Sequence, residues 1–401
     1  MNVTFAPSFV PDPPGRGTLG LVWQCCSTYF LCLWTVIHPN VFDADDLLSR
    51  HSKFVWCFII FFGPEAAILQ AVGEYFNSKK LCHHANNGVD GDIERRHSTA
   101  SRSTPSQHLD HEPLCPVSRG IVGRGPRWGL SHGYLARMGA MEFKFDENPA
   151  GLPSCEAIEK LAKCGMLPTV GYLNTQIKAL RKSDQRVKTI ACIQLLWLVV
   201  QTIARKVDGL PVTLLELNTL AQIWITLLIY GLWWYKPQGI EHVTTIDFGA
   251  CKKCQQQLGA NGITLDPRLK PDDWRRIGHY SKSEILIGTV VILFGITVYI
   301  VIEFLGWKAY FPTSAEMLVW RVSLCVFVAS AGTFLLFQLI NLYTTLLERI
   351  MDRIQAVVAV GICFVVFARL VLTIEPFVSL RKLPIDAYST PSWSDMLPHI
   401  G

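Results

Sequence analysis

In the segment GLPVTLLELNTLAQIWITLLIYGLWWYKP, residues 209–237, six side chains recur at steps of three or four: Glu216, Thr219, Gln222, Thr226, Tyr230 and Trp233. On a helix that spacing puts them on one face. The rest of the segment is apolar, so the face should turn away from lipid, where an ionised carboxylate is costly. Inside a bundle the same group can be protonated, hydrogen-bonded or paired. A second stripe, Gln194, Trp197, Gln201 and Arg205, precedes the first and is joined to it only by the link 206–210. Antiparallel neighbours are therefore expected. Arg205 and Gln201 would then approach Glu216, which sits about 8 Å into its helix by rise.

Such a group has two uses. It can clamp helices together, as polar side chains in bundles commonly do. Alternatively, a carboxylic acid held in apolar surroundings can protonate an epoxide or alkene, while aromatic faces stabilise the resulting cation. Glu216 is one candidate acid, and Trp197, Tyr230 and Trp233 are candidate π faces. Gln194, Gln201, Arg205, Thr219 and Gln222 would bind the substrate. Glu65 is a second candidate acid: it follows Pro64 in FFGPEAAILQ, where proline frees a carbonyl and kinks a helix. Glu303 and Arg369 lie near the ends of their apolar runs, and snorkelling to the headgroups is the preferred reading for both.

Other chemistries have little support. The chain contains no Gly-x-Ser-x-Gly elbow, Walker loop, dinucleotide-binding GxGxxG or HExxH. DADD at Asp43–Asp46 is not the spaced aspartate motif that holds magnesium diphosphate, so protonation is the expected trigger and no cofactor is expected. Cys251 and Cys254 form one CxxC, half a zinc site, which Cys82, His83 and His84 would complete only if distant loops met. Seven of the 13 cysteines, including Cys25, Cys57 and Cys363, fall in apolar runs, where they behave as small apolar residues.

The elements that must position these groups are membrane helices. A helix needs roughly 20 apolar residues to cross about 30 Å of hydrocarbon. Seven runs approach that length, at residues 18–37, 54–73, 189–204, 211–235, 285–305, 322–342 and 357–374. The chain is 50% hydrophobic and 17% charged, with a mean hydropathy of +0.27, which agrees with a lipid bilayer as its partner. The first run follows four prolines and one arginine without a basic leader or small-residue cleavage site, and reads as a retained span. The formal net charge of +5 sits mostly in the loops, with no base-reading motif, so no nucleic acid is expected. With seven crossings, the distribution of Lys and Arg would place the N-terminus in the cytosol and the C-terminus across the membrane.

The organisation expected is a tail to residue 17, spans in 18–73, a long loop over 74–188, further spans in 189–374 and a tail from 375. DIERRHSTASRSTPSQHLDHEPLCPVSRG, in the long loop, reads as disordered. Trp128, Tyr134, Met138, Met141 and Phe145 then recur near helical spacing, and Ser154 caps a further helical pattern. Both segments can lie on the membrane surface or pack on other loops. The loop 236–283 is polar, and no internal repeat supports a duplicated transporter. The fold class is an all-α polytopic transmembrane bundle of about seven spans.

Gly15–Asn40 (GRGTLGLVWQCCSTYFLCLWTVIHPN), Arg181–Pro237 and WGLSHGYLARMG resemble a large group of fungal polytopic membrane proteins, mostly of unassigned function. Within that group the chain is similar to the membrane-bound terpene cyclases of ascofuranone-type meroterpenoid pathways. The resemblance implies cyclisation of a prenylated aromatic substrate, with or without an epoxide, in the endoplasmic reticulum membrane. It carries over no catalytic residue. A transporter, a receptor and a non-catalytic scaffold are the alternatives, since fold alone does not decide function.

Overall fold

The computed structural model describes residues 4–11, 16–38, 52–100, 127–144, 155–163, 167–168, 170–237, 244–247, 281–343 and 346–390. The stretches at 43–46, 101–126, 248–280 and 391–401, which include Cys251 and Cys254, lie outside the described residues, as does Ser154. The helices are α1 (Thr18–Val36), α2 (Ser52–Phe62), α3 (Pro64–Ala100), α4 (Leu130–Arg137), α5 (Cys155–Lys163), α6 (Val170–Val207), α7 (Leu214–Leu232), α8 (Lys282–Phe304), α9 (Ser314–Tyr343) and α10 (Leu346–Val378). Strand β1 (Met141–Lys144) runs parallel to β2 (Thr244–Asp247). The class is thus all-α, a polytopic transmembrane bundle, and all seven apolar runs are helical.

Among the described residues, six helical segments are long and apolar enough to cross a membrane: α1, residues 189–207 of α6, α7, α8, residues 314–339 of α9, and the end of α10 from Val360. The outer faces carry exposed Trp23, Leu196, Phe294, Val322, Phe364 and Phe367, which only a hydrocarbon environment makes favourable. α7 is the central helix. Two-thirds of its span (67%) is buried within the protein, against 17–44% for the other five crossings, and it packs on α1, α3, α8 and α10.

The second apolar run is different. α2 and α3 meet at Gly63–Pro64 with a bend of 119°. Proline is well placed in the first turn of α3, where its missing N–H is no loss, and it stops the α2 ladder from continuing. The two arms have their far ends at one face. Lys53 at the start of α2 sits over the Trp34 ring, 4.2 Å from its centroid, near the C-terminal end of α1. Glu74, ten residues past Pro64, pairs at 2.7 Å with Lys236, which follows the end of α7. Each arm is about 15 Å long by helical rise, half of the hydrocarbon thickness. The hairpin enters from one face, turns near the midplane and returns.

The chain ends agree with this topology. Ala6 N–H donates to the Leu383 carbonyl (3.0 Å), Ile385 N–H donates to the Thr4 carbonyl (3.1 Å), and Phe5 bridges Pro384. The N-terminal segment and the segment after α10 therefore share one face, as six crossings require. This corrects the expectation that the termini lie on opposite sides: the second run is a re-entrant hairpin, so it adds no crossing.

On the face away from the termini, α3 continues as helix to Ala100, past Asp92, where disorder is expected from composition. Of the stretch from Trp128 to Lys144 only Leu130–Arg137 is helical, Met141–Lys144 is extended, and Phe145 lies outside the described residues. Trp128, Tyr134, Met138 and Met141 are all buried, so this segment packs on the protein instead of lying on the membrane surface. Gly133 allows the close approach: a Cβ there would overlap the Ser78 carbonyl oxygen of α3. Tyr134 reaches the Leu232 carbonyl at 2.8 Å and so ties α4 to the end of α7.

Candidate functional site

The stripe on α7 faces inward, as its spacing predicts. Glu216, Thr219, Gln222, Thr226 and Trp233 are buried, and Tyr230 is half-buried. They do not form one site. Glu216 occupies the third position of α7, where it completes a capping box: its Oε2 accepts from the Thr213 N–H and hydroxyl, both at 2.9 Å. Its Oε1 lies 2.6 Å from Arg16 and 3.9 Å from Arg205 Nε. Arg205 also donates to the carbonyls of Ser389 (2.6 Å), Ala387 (2.8 Å) and Pro211 (3.0 Å). Glu216 thus ties the start of α7 to the N-terminal segment, while Arg205 ties α6 to the segment after α10.

The α6 stripe is dispersed. Gln201 bonds Gln24 of α1, Trp197 is exposed on the outer face, and Gln194 is half-buried away from both cavities described below. α6 packs more on α1 than on α7; of its stripe, Arg205 approaches Glu216 as expected, whereas Gln201 pairs with Gln24. At the other end of α7, Trp233 packs beside His38 and under the Lys236 ammonium, 4.6 Å from the ring centroid, and Tyr230 packs on Trp234.

The chemistry concentrates midway along the bundle. Glu65, in the first turn of α3 at the hairpin tip, lies 3.5 Å from Arg369 of α10. Arg369 donates to Gln222 Oε1 at 3.2 Å, and Tyr29 of α1 donates to the same oxygen at 3.3 Å. The guanidinium stacks 4.4 Å from the Tyr299 ring and 5.5 Å from that of Phe327. Tyr299 in turn donates to Glu303 Oε1 at 3.0 Å. Glu303 and Arg369 are buried at 0% and 3% exposure. This overturns the snorkelling reading for both.

Two cavities flank this network. One, of about 240 Å³, lies between the hairpin tip, α8, α9 and α10 and is lined by Glu65, Arg369, Phe62, Phe327 and Phe334 among apolar side chains. Leu69 and Val366, both exposed on the outer surface, form part of its wall, so it communicates with the lipid. The other, of about 230 Å³, lies between α1, α2 and α7 and includes Tyr29, Phe61, Thr219 and Gln222. Arg369 Nε and Nη1 and Glu303 Oε2 have no hydrogen-bond partner among the described residues.

Cys82, His83 and His84 each have another partner. Cys82 bonds the Gly129 carbonyl, His83 bonds Asn87 and His84 lies 2.7 Å from Glu159. Among the described residues, no three His, Cys, Asp or Glu side chains gather as metal ligands.

The fold and its buried polar centre define a polytopic membrane protein, with six crossings and one re-entrant hairpin among the described residues. The chain belongs to a family of unknown function, DUF8562, whose model matches residues 3–255 and 285–400. No curated protein and no solved structure matches it.

Proposed function

We propose that this protein is a membrane-embedded terpene cyclase of the endoplasmic reticulum, acting on a prenylated aromatic substrate that enters from the bilayer. The observation that carries the reading is the cavity at the hairpin tip, where one carboxyl and one guanidinium face apolar and aromatic walls open to lipid. Glu65 in its protonated form gives its proton to an epoxide oxygen. The C–O bond opens, alkene π electrons close the ring, and the Glu65 carboxylate takes a proton from the final cation. The net change is an isomerisation. Arg369 stabilises the carboxylate half of this cycle, and Phe327 and Phe334 offer π faces to the cation. Of the two candidate acids, Glu65 is preferred, because both oxygens of Glu216 are committed to Thr213 and Arg16.

The test is expression in yeast microsomes supplied with a farnesylated phenolic epoxide, followed by mass spectrometry. The expected result is an isomeric cyclised product that disappears in Glu65→Gln. Absence of product from folded protein with delivered substrate would overturn the reading in favour of transport or scaffolding.

A further inference from the structure

The second cavity, between α1, α2 and α7, carries a matched pair of unused polar atoms. Asn218 and Gln222 lie one helical turn apart on α7, both line the cavity, and they are 5% and 1% exposed. A guanidinium can only donate, so the bond from Arg369 fixes the Gln222 amide oxygen on the network side and leaves Nε2 as the other amide atom. Gln222 Nε2, a donor, and Asn218 Oδ1, an acceptor, have no hydrogen-bond partner among the described residues. The neighbouring hydroxyls are already used: Thr219 donates to the Leu215 carbonyl, and Tyr29 to Gln222. Buried polar atoms are normally satisfied, so an open donor and an open acceptor beside a cavity mark where a water or a ligand group bonds.

A hydroxyl both accepts and donates through a single oxygen, and one oxygen can reach two amides a helical turn apart. Tyr29, Phe30, Phe61 and Phe377 supply four aromatic rings to the walls, with Tyr29 and Phe61 centroids 5.6 Å apart. Aromatic walls favour an aromatic ring in offset or edge-to-face contact. We infer that this cavity is a binding site for a lipid-soluble phenol, whose hydroxyl donates to Asn218 Oδ1 and accepts from Gln222 Nε2. The inference stands apart from the cyclase reading, since it concerns another cavity and equilibrium binding without turnover.

The probes are 4-hexylphenol and hexylbenzene, which differ by the hydroxyl alone, titrated into the full-length chain in detergent. The phenol should bind about ten-fold more tightly, the worth of a pair of hydrogen bonds to buried groups. Asn218→Leu should remove most of that preference and leave hexylbenzene affinity unchanged, which also reports that the variant is folded. A photoreactive hexylphenol should label α1 and α2 near Phe30 and Phe61. Equal affinity for the two probes, an unchanged preference in Asn218→Leu, or labelling confined to α8 and α9 would each overturn the assignment. If Asn218→Leu fails to fold, the probe preference and the labelling position of the unmodified chain decide it.

Discussion

Arg369 lies 3.5 Å from Glu65 and donates to Gln222, so the last crossing, the hairpin tip and the central helix meet at one guanidinium. Arg369 is a buried charge, and removing one side of such a contact strands the other and typically costs about 3–5 kcal/mol, whereas replacing both by apolar groups is often close to neutral. Glu65→Leu and Arg369→Leu should each lower the thermal midpoint of the purified protein. Arg369→Leu should cost more, because it also loses Gln222 and the Tyr299 face. The double variant should be more stable than Arg369→Leu alone. Strictly additive losses would show that the two charges are not coupled.

The ladder puts residues 4–6 and 383–385 on one face. Tags at the N- and C-termini should therefore be protected together, or digested together, when sealed microsomes are treated with protease. Protection of one tag alone would require an odd number of crossings and would turn the α2–α3 hairpin into a bent span.

Much of this architecture can be read from residue types, and the failures have physical causes. The six crossings stand out because bilayer thickness dictates their length, and the α7 stripe stands out because its period is helical. A run of about 20 apolar residues, however, has the same composition whether it crosses or doubles back at midplane. Pro64 marks the break but not its 119° angle. Arg16, a lone arginine in a proline-rich tail, carries no periodic signal that would link it to Glu216. Glu303 and Arg369 look terminal only when the apolar run is taken for the helix. In fact Leu305–Lys308 continues α8 as a 3-10 turn, and α10 runs nine residues past Arg369 to Val378. Trp197 keeps the period of its stripe yet faces outward, because α6 turns Leu198 inward and meets α1 at Gln201, which bonds Gln24. Neither tyrosine of the central network had a pattern to expose it.

The clasp at Glu216 allows its structural role to be tested apart from the role proposed for Glu65. Glu216→Ala removes the cap and strands Arg16, and should destabilise the chain by about 2–4 kcal/mol. Glu216→Gln retains one cap acceptor and should cost less. In microsomes, any turnover per folded molecule should survive in Glu216→Gln and vanish in Glu65→Gln. The reverse pattern would move the chemistry to the end of α7.

The close approach of α4 to α3 should make Gly133→Ala one of the more damaging single-methyl additions. The new Cβ would overlap the Ser78 carbonyl, which is backbone and has little freedom to withdraw. Overpacking of this kind costs about 1–3 kcal/mol. Gly171 has nothing within 4 Å of an added Cβ, so Gly171→Ala is the control and should be neutral or slightly stabilising. Equal thermal midpoints for the two variants would mean that α4 is free to shift on α3.

Acid should loosen the same region through His132. This residue is buried, its Nδ1 accepts from the Gly129 N–H at 2.9 Å, and its Nε2 lies 3.2 Å from Asn174 of α6. Burial pushes its pKa below the ordinary histidine value, partly offset by the bond to Asn174. A second proton on the ring would also point at a backbone donor. The unfolded chain therefore binds more protons at this residue than the folded chain, and stability rises with pH through that window. The contribution of His132 should be complete above about pH 6.5, the ordinary histidine range, and should be lost as pH falls below it. Thermal midpoints of the unmodified chain and of His132→Gln, which keeps a cap-competent side chain that does not titrate, should be compared from about pH 8 to about pH 5. The variant should show the shallower fall, and identical slopes would exclude His132 as a source of acid sensitivity.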